Sequence, residues 1–428
     1  MEYRRIKGTQ DLLPQECVKW QRVEEVIKEE LAHNNYKEVR TPIFEDTQLF
    51  TRSIGEETDV VSKEMYTFLD KGENSITLRP ELTAPVIRAY IQDSTFQNSP
   101  IEKWYYFGPA FRQEKPQKGR FRQFHQFGFE LIGTDLAVAD AEVIQTMYRI
   151  FSKLGLKEIE IKINSIGSLQ SRKKYLVQLR DELSAYKDQL CETCQKRFQQ
   201  NILRIFDCKN ETCQEILDQH APLITDNISD EDKKHFETVK KLLKETNTPF
   251  TVDKKLVRGL DYYTRTTFEI TSSLLGSQDA ICGGGRYDHL VEDLGGPEIP
   301  AVGVACGMER LILALDEEDQ LEVVERPLVF CITMGERARD KGFEIVTKLR
   351  NKGINAEMDL LQRSIRAQMR YANKDNADKV IIIGDQELER NVVALKDMKS
   401  GDQEDVPIKD LISTLIDRFK ISNNEPIY

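Results

Sequence analysis

Short runs of β-branched and aromatic residues at 104–107, 124–130, 159–163, 266–271 and 302–305 constrain this chain most. Strands so widely separated share one core most economically by meeting in a single sheet. Helical spacing outside these runs, as at Val18, Val23, Val26, Ile27 and Leu31 within 16–32, places amphipathic helices against that sheet. The expected architecture is α+β, with one large, mainly antiparallel sheet. Two further strands, 65–69 and 75–78, flank a turn that starts Asp70-Lys71-Gly72 and read as a hairpin. The run NNYKEVRTPIFE carries Thr41-Pro42 within it. Proline in a strand belongs at an edge or where pairing stops, and an edge at a subunit interface suits it.

At 428 residues the chain exceeds what one core usually organises. The pattern becomes helical from about 171 to 245, with Tyr175, Leu176, Leu179 and Leu183, then Phe236, Val239, Leu242 and Leu243, which reads as an inserted helical module. Beyond an acidic segment at 316–319 and Pro327, strand-like runs at 328–334, 354–358, 380–384 and 392–395 alternate with helices, the mark of a separate C-terminal α/β domain. Its last helix places Ile408, Leu411, Ile412, Leu415, Ile416 and Phe419 on one face. The expected domains are 1–325 and 326–428.

Hydrophobic residues make up 39% and charged residues 31%, a balance that excludes a disordered chain. The apolar run at 379–383 is far too short to cross a bilayer, and the basic start MEYRRIKGTQDLLP has no apolar stretch behind it. A cytoplasmic protein without membrane contact is expected. Acidic residues outnumber basic ones by 72 to 61, so net charge does not advertise nucleic acid. A local basic surface on an acidic protein nonetheless attracts a phosphate backbone. Eight cysteines in such a chain read as thiols or a metal site rather than a disulfide framework.

The segment FRQEKPQKGRFRQFHQFGFE, 111–130, joins two strand-like ends through a loop that concentrates Arg112, Lys115, Lys118, Arg120 and Arg122. Guanidinium groups bind phosphate oxygens bidentately and neutralise charge that develops during phosphoryl chemistry, so this loop suits a triphosphate. Composition alone fits a solvated basic hairpin equally well. No GxxxxGK[ST] run is present, so ATP would be held without a P-loop.

The 111–130 segment resembles motif 2 of class II aminoacyl-tRNA synthetases in its histidyl form. NNYKEVRTPIFE resembles motif 1, and GVACGMERLILAL, 303–315, resembles motif 3. LVRGLDYYTR at 256–265 and CGGGRYDHLVEDLGG at 282–296 resemble the signature peptides of the histidyl family, and TDVVSKEMYTF and LRPELTAPV fit as well. The resemblance covers essentially the whole chain in family order. It implies a class II synthetase-type antiparallel sheet with flanking helices and an anticodon-binding domain at 326–428. It also implies ATP and Mg²⁺ as cofactors, L-histidine and histidine tRNA as substrates, and a homodimer formed through motif 1.

The same resemblance implies roles for individual residues. Arg112 and Arg258 flank the α-phosphate, Glu114 and Phe124 hold the adenine, and Arg120 and Arg310 hold the β and γ phosphates, with Arg310 covering the second face of the ring. Arg112, Arg258 and Arg310 form the catalytic set, two guanidiniums at one phosphorus spreading the transition-state charge. Glu81, Thr83 and Gln126 take the histidine α-amino end, and Glu130 and Tyr263 take the imidazole with Tyr262 alongside. Lys115 and Gln117 meet the tRNA acceptor end at its extra 5′ guanosine. Standing alone, Glu81 reads as a helix cap, Tyr263 as a core aromatic and Gly283 to Gly285 as a bulge or turn; His125 is expected to be supporting structure.

Leu82 and Pro85 depart from the small residues more usual in bacterial members, and Lys115 replaces an arginine; lysine lacks the bidentate reach to guanine. Cys191, Cys194, Cys208 and Cys213 offer a four-cysteine zinc set within the insertion, to be weighed against ordinary free thiols. In the C-terminal domain Arg363, Arg366 and Arg370, with Gln362 and Gln368 nearby, read either as an RNA-facing surface or as a solvated helix face. A rival reading is a catalytically silent relative that senses histidine as the regulatory subunit of ATP phosphoribosyltransferase. That relative typically lacks the C-terminal domain and loses motif residues, whereas this chain keeps Arg112, Arg258 and Arg310.

Overall fold

Proline at the first helical position has no N–H to leave unsatisfied, and Pro14 opens helix α1 (Pro14–His33), which buries Trp20, Val23, Ile27 and Leu31. The structure is a computed structural model and describes residues 3–56, 58–276, 279–320 and 327–420. The chain forms two compact units, Met1–Val323 and Val324–Tyr428; the expected boundary at 325/326 lies outside the described residues.

The 34–45 segment breaks at Pro42 into β1 (Lys37–Glu38) and β2 (Phe44–Asp46). Arg79 holds the break: its Nη1 donates to the carbonyls of Thr41 and Pro42 at 2.9 and 3.1 Å, and its Nε to that of Pro109 at 2.9 Å. Helix α2 (Thr47–Ile54) starts where the Asp46 carboxylate accepts the Gln48 N–H. The expected hairpin forms as β3 (Tyr66–Leu69) and β4 (Ser75–Leu78), and β2 joins it to give a small sheet ordered β2-β4-β3. Helix α3 (Thr83–Gln92) leads to β5 (Glu102–Phe111) and β6 (Gln123–Ile132), which pair over their full lengths. Then follow α4 (Ala137–Lys153), β7 (Ile159–Ser165), α5 (Leu169–Leu183), α6 (Glu192–Gln200), α7 (Glu211–His220) and α8 (Asp230–Glu245). The unit finishes with β8 (Thr251–Val252), β9 (Thr264–Ser272), β10 (Ala280–Arg286), α9 (Leu290–Asp293), β11 (Ala301–Gly307) and α10 (Met308–Glu317).

Eight strands form the main sheet in the order β1-β5-β6-β11-β10-β9-β7-β8. Its inner pairs are antiparallel and its two edge pairs, β1 with β5 and β7 with β8, are parallel. One core joins Val23 and Ile27 of α1, Phe151 of α4, Val239 and Leu243 of α8 and Leu311 of α10 to Phe129, Ile161, Ile270 and Val304 of the sheet. A second contains Tyr175, Leu179, Phe198, Ile205 and Leu217 of the inserted helices together with Ile132, Tyr263 and Tyr287. The helical stretch 171–245 is therefore divided: α5 to α7 build the second core, whereas the apolar face of α8 packs with α4 in the first. Between the layers Arg286 is fully buried; it pairs with Asp140 and donates to the carbonyls of Thr134 and Leu136 at 2.8 and 3.2 Å. Burial alone would raise the Asp140 pKa, but Arg286 and His235 beside it hold it down at about 2.

The second unit contains β12 (Leu328–Thr333), α11 (Glu336–Arg350), β13 (Asn355–Met358), α12 (Ile365–Lys374), β14 (Lys379–Ile383), α13 (Asp385–Glu389), β15 (Val392–Asp397), β16 (Gln403–Pro407) and α14 (Leu411–Phe419). Its sheet runs β13-β12-β14-β15-β16, parallel through the first three and antiparallel at the end. Ile408 lies ahead of α14 but still packs on the core it shares with Leu411 and Leu415.

Candidate active site

Strands β6, β10 and β11, the start of α3 and the loop before β9 surround a cavity of about 220 Å³. Glu81, Thr83, Gln126, Tyr262, Tyr263, Arg112, Glu114, Arg120, Phe124, Arg258 and Arg310, all expected from sequence, line it. A larger hollow of about 970 Å³ shares Arg112, Glu114, Arg120 and Arg258 with it and adds Lys162, Arg197, Arg204, Lys209 and Lys255.

Glu81 does act as a helix cap: its Oε2 accepts the Thr83 N–H at 2.6 Å and its Oε1 the Ala84 N–H at 2.8 Å. Burial raises its pKa while those N–H groups oppose the rise. Gln126 Oε1 is buried with no hydrogen-bond partner. Such an orphaned acceptor costs about 1–3 kcal/mol, so the position suits a donor such as an ammonium. Glu130 lies behind the wall, fully buried, and takes three hydroxyl donors. Thr83 and Tyr106 donate to Oε1 at 2.9 Å each, and Tyr287 donates to Oε2. Burial pushes its pKa up to about 8 against the pull of those hydroxyls. A carboxylate offers about four lone-pair sites; with three engaged, an ionised Glu130 keeps one for a ligand N–H.

The guanidiniums are held from behind. Arg112 Nε donates to the Pro80 carbonyl at 2.9 Å, and its charged end lies 5.4 Å from the Phe124 ring centroid. Arg310 Nε donates to the Ala280 carbonyl at 2.6 Å, Arg258 pairs with Glu269 of β9, and Arg120 reaches Glu114 at 3.2 Å. Burial and then the nearby Arg120 charge lower the Arg310 pKa. Like charges gathered in a partly desolvated wall favour an anion between them.

Two glycines make room for this machinery. A Cβ on Gly303 would fall 1.5 Å from Glu130 Oε2, and one on Gly283 would fall 2.0 Å from an Arg258 terminal nitrogen. The glycine run is thus strand β10, bulged against β9 at 280/282 and 285/286. Sequence reasoning did not single out Tyr106, Tyr287, Glu269 or Gly303. Tyr287 and Gly303 lie inside the quoted motifs, but no spacing signal points to Tyr106 or Glu269. Glu309 was also missed: it accepts the His125 backbone N–H and approaches the His125 ring at 3.0 Å, while Trp20 packs edge-on at 5.0 Å. His125 is thereby fixed as a support.

Lys115 and Gln117 do not line the cavity; Gln117 forms an isolated bridge with Arg120 at the tip of the loop between β5 and β6. The four cysteines come together, every sulfur within 4.8 Å of the others. In the second unit, Arg366, Arg370 and Gln362 are exposed, but Gln368 is buried, exchanging bonds with the Thr333 N–H and carbonyl at 3.1 and 3.0 Å. Gln368 therefore ties α12 to β12 and does not face solvent. Arg363, ahead of α12, pairs with Asp359 and lies 4.3 Å from the Tyr371 ring centroid.

Residues 8–311 match the family model for histidyl-tRNA synthetase, and 328–418 match that for an anticodon binding domain. The chain is 45% identical to a histidine–tRNA ligase of Desulfitobacterium hafniense, with 99% of this chain and 100% of that protein covered. It is 47% identical to a histidine–tRNA ligase of Halothermothrix orenii, over 97% and 99%. The apo S. aureus histidyl-tRNA synthetase superposes with a TM-score of 0.82 at 40% identity, over 96% of this chain and 99% of that one. An ATP phosphoribosyltransferase regulatory subunit/histidyl-tRNA synthetase of Bacillus halodurans shares the fold at 21% identity and a TM-score of 0.65, over 90% and 99%. Matches of this identity and extent mean that the chain belongs to the histidyl-tRNA synthetase family.

Proposed function

We propose that this protein activates L-histidine with ATP to give histidyl-adenylate and pyrophosphate, then transfers histidine to the 3′ end of histidine tRNA. The observation that carries the reading is one cavity in which four arginines meet the unpartnered Gln126 acceptor. The histidine carboxylate attacks the α-phosphorus and pyrophosphate leaves. Arg112 and Arg258 neutralise the developing charge, and Arg120 and Arg310 bind the departing phosphates. Glu114 and Phe124 receive the adenine, Arg310 covering the ring's other face. Glu81, Thr83 and Gln126 take the α-ammonium, and Glu130 and Tyr263 take the imidazole beside Tyr262.

The carboxylates in the cavity wall are engaged, Glu81 by the α3 N-terminus, Glu114 by Arg120 and Glu309 by His125. The wall therefore fits no dedicated magnesium cage, and Mg²⁺ would be carried on the nucleotide's own oxygens and water. The larger hollow, whose lysines and arginines are interspersed with Asp59, Glu64, Asp207, Asp253, Glu269 and Asp279, is open enough for the tRNA acceptor end, with Lys115 and Gln117 on the loop that meets the 5′ guanosine, while Arg363, Arg366 and Arg370 remain candidates for anticodon contact. Ile43, Phe44, Phe68 and Leu69 are exposed on and beside the small sheet, an apolar surface that supports homodimerisation there. Among the described residues no helix is long and apolar enough to cross a membrane, which is compatible with the expected cytoplasmic location. The test is aminoacylation of histidine tRNA by purified protein. Charging with histidine alone supports the reading, and no charging by folded protein rejects it.

A further inference from the structure

We propose that Cys191, Cys194, Cys208 and Cys213 form a structural zinc site that braces the loop carrying Arg258. In a tetrahedral site with zinc–sulfur bonds of about 2.3 Å the sulfurs lie about 3.8 Å apart. Here all four sulfurs fall within 4.8 Å of one another, and Cys191 Sγ and Cys208 Sγ are separated by 3.8 Å. The C-x₂-C and C-x₄-C spacings fall within the range of zinc ligand pairs.

The surroundings suit thiolate ligands. Cys191 is the N-cap of α6 and Cys213 lies in the first turn of α7, where helix N-termini favour negative charge. Backbone N–H groups already point at two of the sulfurs: that of Cys191 at Cys213 Sγ, 3.3 Å, and that of Asn210 at Cys208 Sγ, 3.4 Å. Such donors are the outer contacts that tune a metal–thiolate centre. Cys194 and Cys213 are fully buried, so metal exchange would be slow and the role structural.

Between the two cysteine pairs runs the turn Ile202–Asp207. Asn201, just before it, donates to Asp261 Oδ1 at 2.8 Å, and an Arg204 terminal nitrogen sits 3.0 Å from where a Gly259 Cβ would be. A metal at the four sulfurs therefore fixes both ends of the turn that backs residues 258–261. This consequence rests on the reading of Arg258 given above; the site itself does not.

The test is the metal content of untagged protein purified without chelator. About one zinc per chain is expected, falling below a tenth in Cys208→Ser and Cys194→Ser. Because those variants can fail to fold, cobalt(II) is also titrated into metal-stripped wild-type protein. The visible bands of a tetrahedral tetrathiolate centre are expected, displaced by one equivalent of zinc. Folded wild-type protein that holds no stoichiometric zinc and gives no tetrathiolate cobalt spectrum overturns the proposal, as does finding the four cysteines in disulfides. Zinc bound without effect on the KM or kcat of histidine activation would remove the bracing role and leave the site.

Discussion

Replacing Glu130 by glutamine should move stability and catalysis in opposite directions. The folded protein holds the Glu130 proton up to about pH 8 because burial disfavours the charge, whereas an unfolded glutamate releases it near 4.5. A carboxyl with a raised folded pKa contributes stability that is fully present below about pH 4.5 and is lost as pH climbs towards 8. At 1.36 kcal/mol per pKa unit the loss between pH 5 and 8 is on the order of 2–4 kcal/mol. Glu130→Gln removes this dependence, so its stability relative to wild type should rise across that interval. Yet above about pH 8, where the wild-type carboxyl is ionised, the amide cannot offer the charged acceptor that an imidazole N–H would meet, and its NH₂ faces hydroxyls that now donate to the carboxylate. Losing one charge-assisted hydrogen bond, about 1.5–3 kcal/mol, lowers kcat/KM for histidine roughly 10- to 150-fold. Urea unfolding at pH 5, 6.5 and 8, alongside histidine-dependent pyrophosphate exchange above pH 8, measures both. Parallel stability profiles for variant and wild type, or a histidine kcat/KM within twofold, would refute the reasoning.

Gly283→Ala places a methyl group where the Arg258 guanidinium lies, so adenylation should fall at least tenfold, a barrier change of about 1.4 kcal/mol; unchanged exchange kinetics would remove Arg258 from that position. Arg286→Leu leaves Asp140 buried without its main partner and should cost about 3–5 kcal/mol in denaturant unfolding; a loss under 1 kcal/mol would contradict the pairing. The Asp140 pKa is depressed, so its contribution is present above the unfolded value near 3.8 and is lost as pH falls towards about 2; Asp140→Asn should flatten that acid limb, and an unchanged limb would assign it to other groups. Truncation after Glu325 should raise the KM for tRNA while sparing histidine activation, and equal tRNA kinetics would remove the C-terminal unit from recognition.

Strands β5, β6, β7, β9 and β11 of the main sheet were legible because β-branched and aromatic runs mark them, and Pro42 marked where the first strand breaks; the two-residue β8 and the glycine-rich β10 carry no such run and were not. Strand β16, Gln403–Pro407, escaped because it exposes four of its five residues and carries a single buried apolar side chain, Val406. The division of the 171–245 stretch was hidden because helical periodicity gives the buried face of α8 but not the partner that covers it. Arg112 and Arg120 stood out by the charge of their loop, whereas the other cavity-lining side chains were readable only through motif resemblance, since they come from segments far apart in sequence. Resemblance said nothing of the hydroxyl belt around Glu130, which unites Thr83, Tyr106 and Tyr287 across three elements. Gln368 misled because polar character suggested exposure, whereas its amide satisfies the backbone of a buried strand.

The most direct test of the central claim is ATP–pyrophosphate exchange by the purified protein with each of the standard amino acids in turn. The cavity's matched polar groups predict exchange with histidine alone, since a site built to hydrogen-bond its substrate rejects analogues lacking those groups by about 10⁴ to 10⁵. Histidine binding without exchange, or exchange driven by another amino acid, would contradict the account.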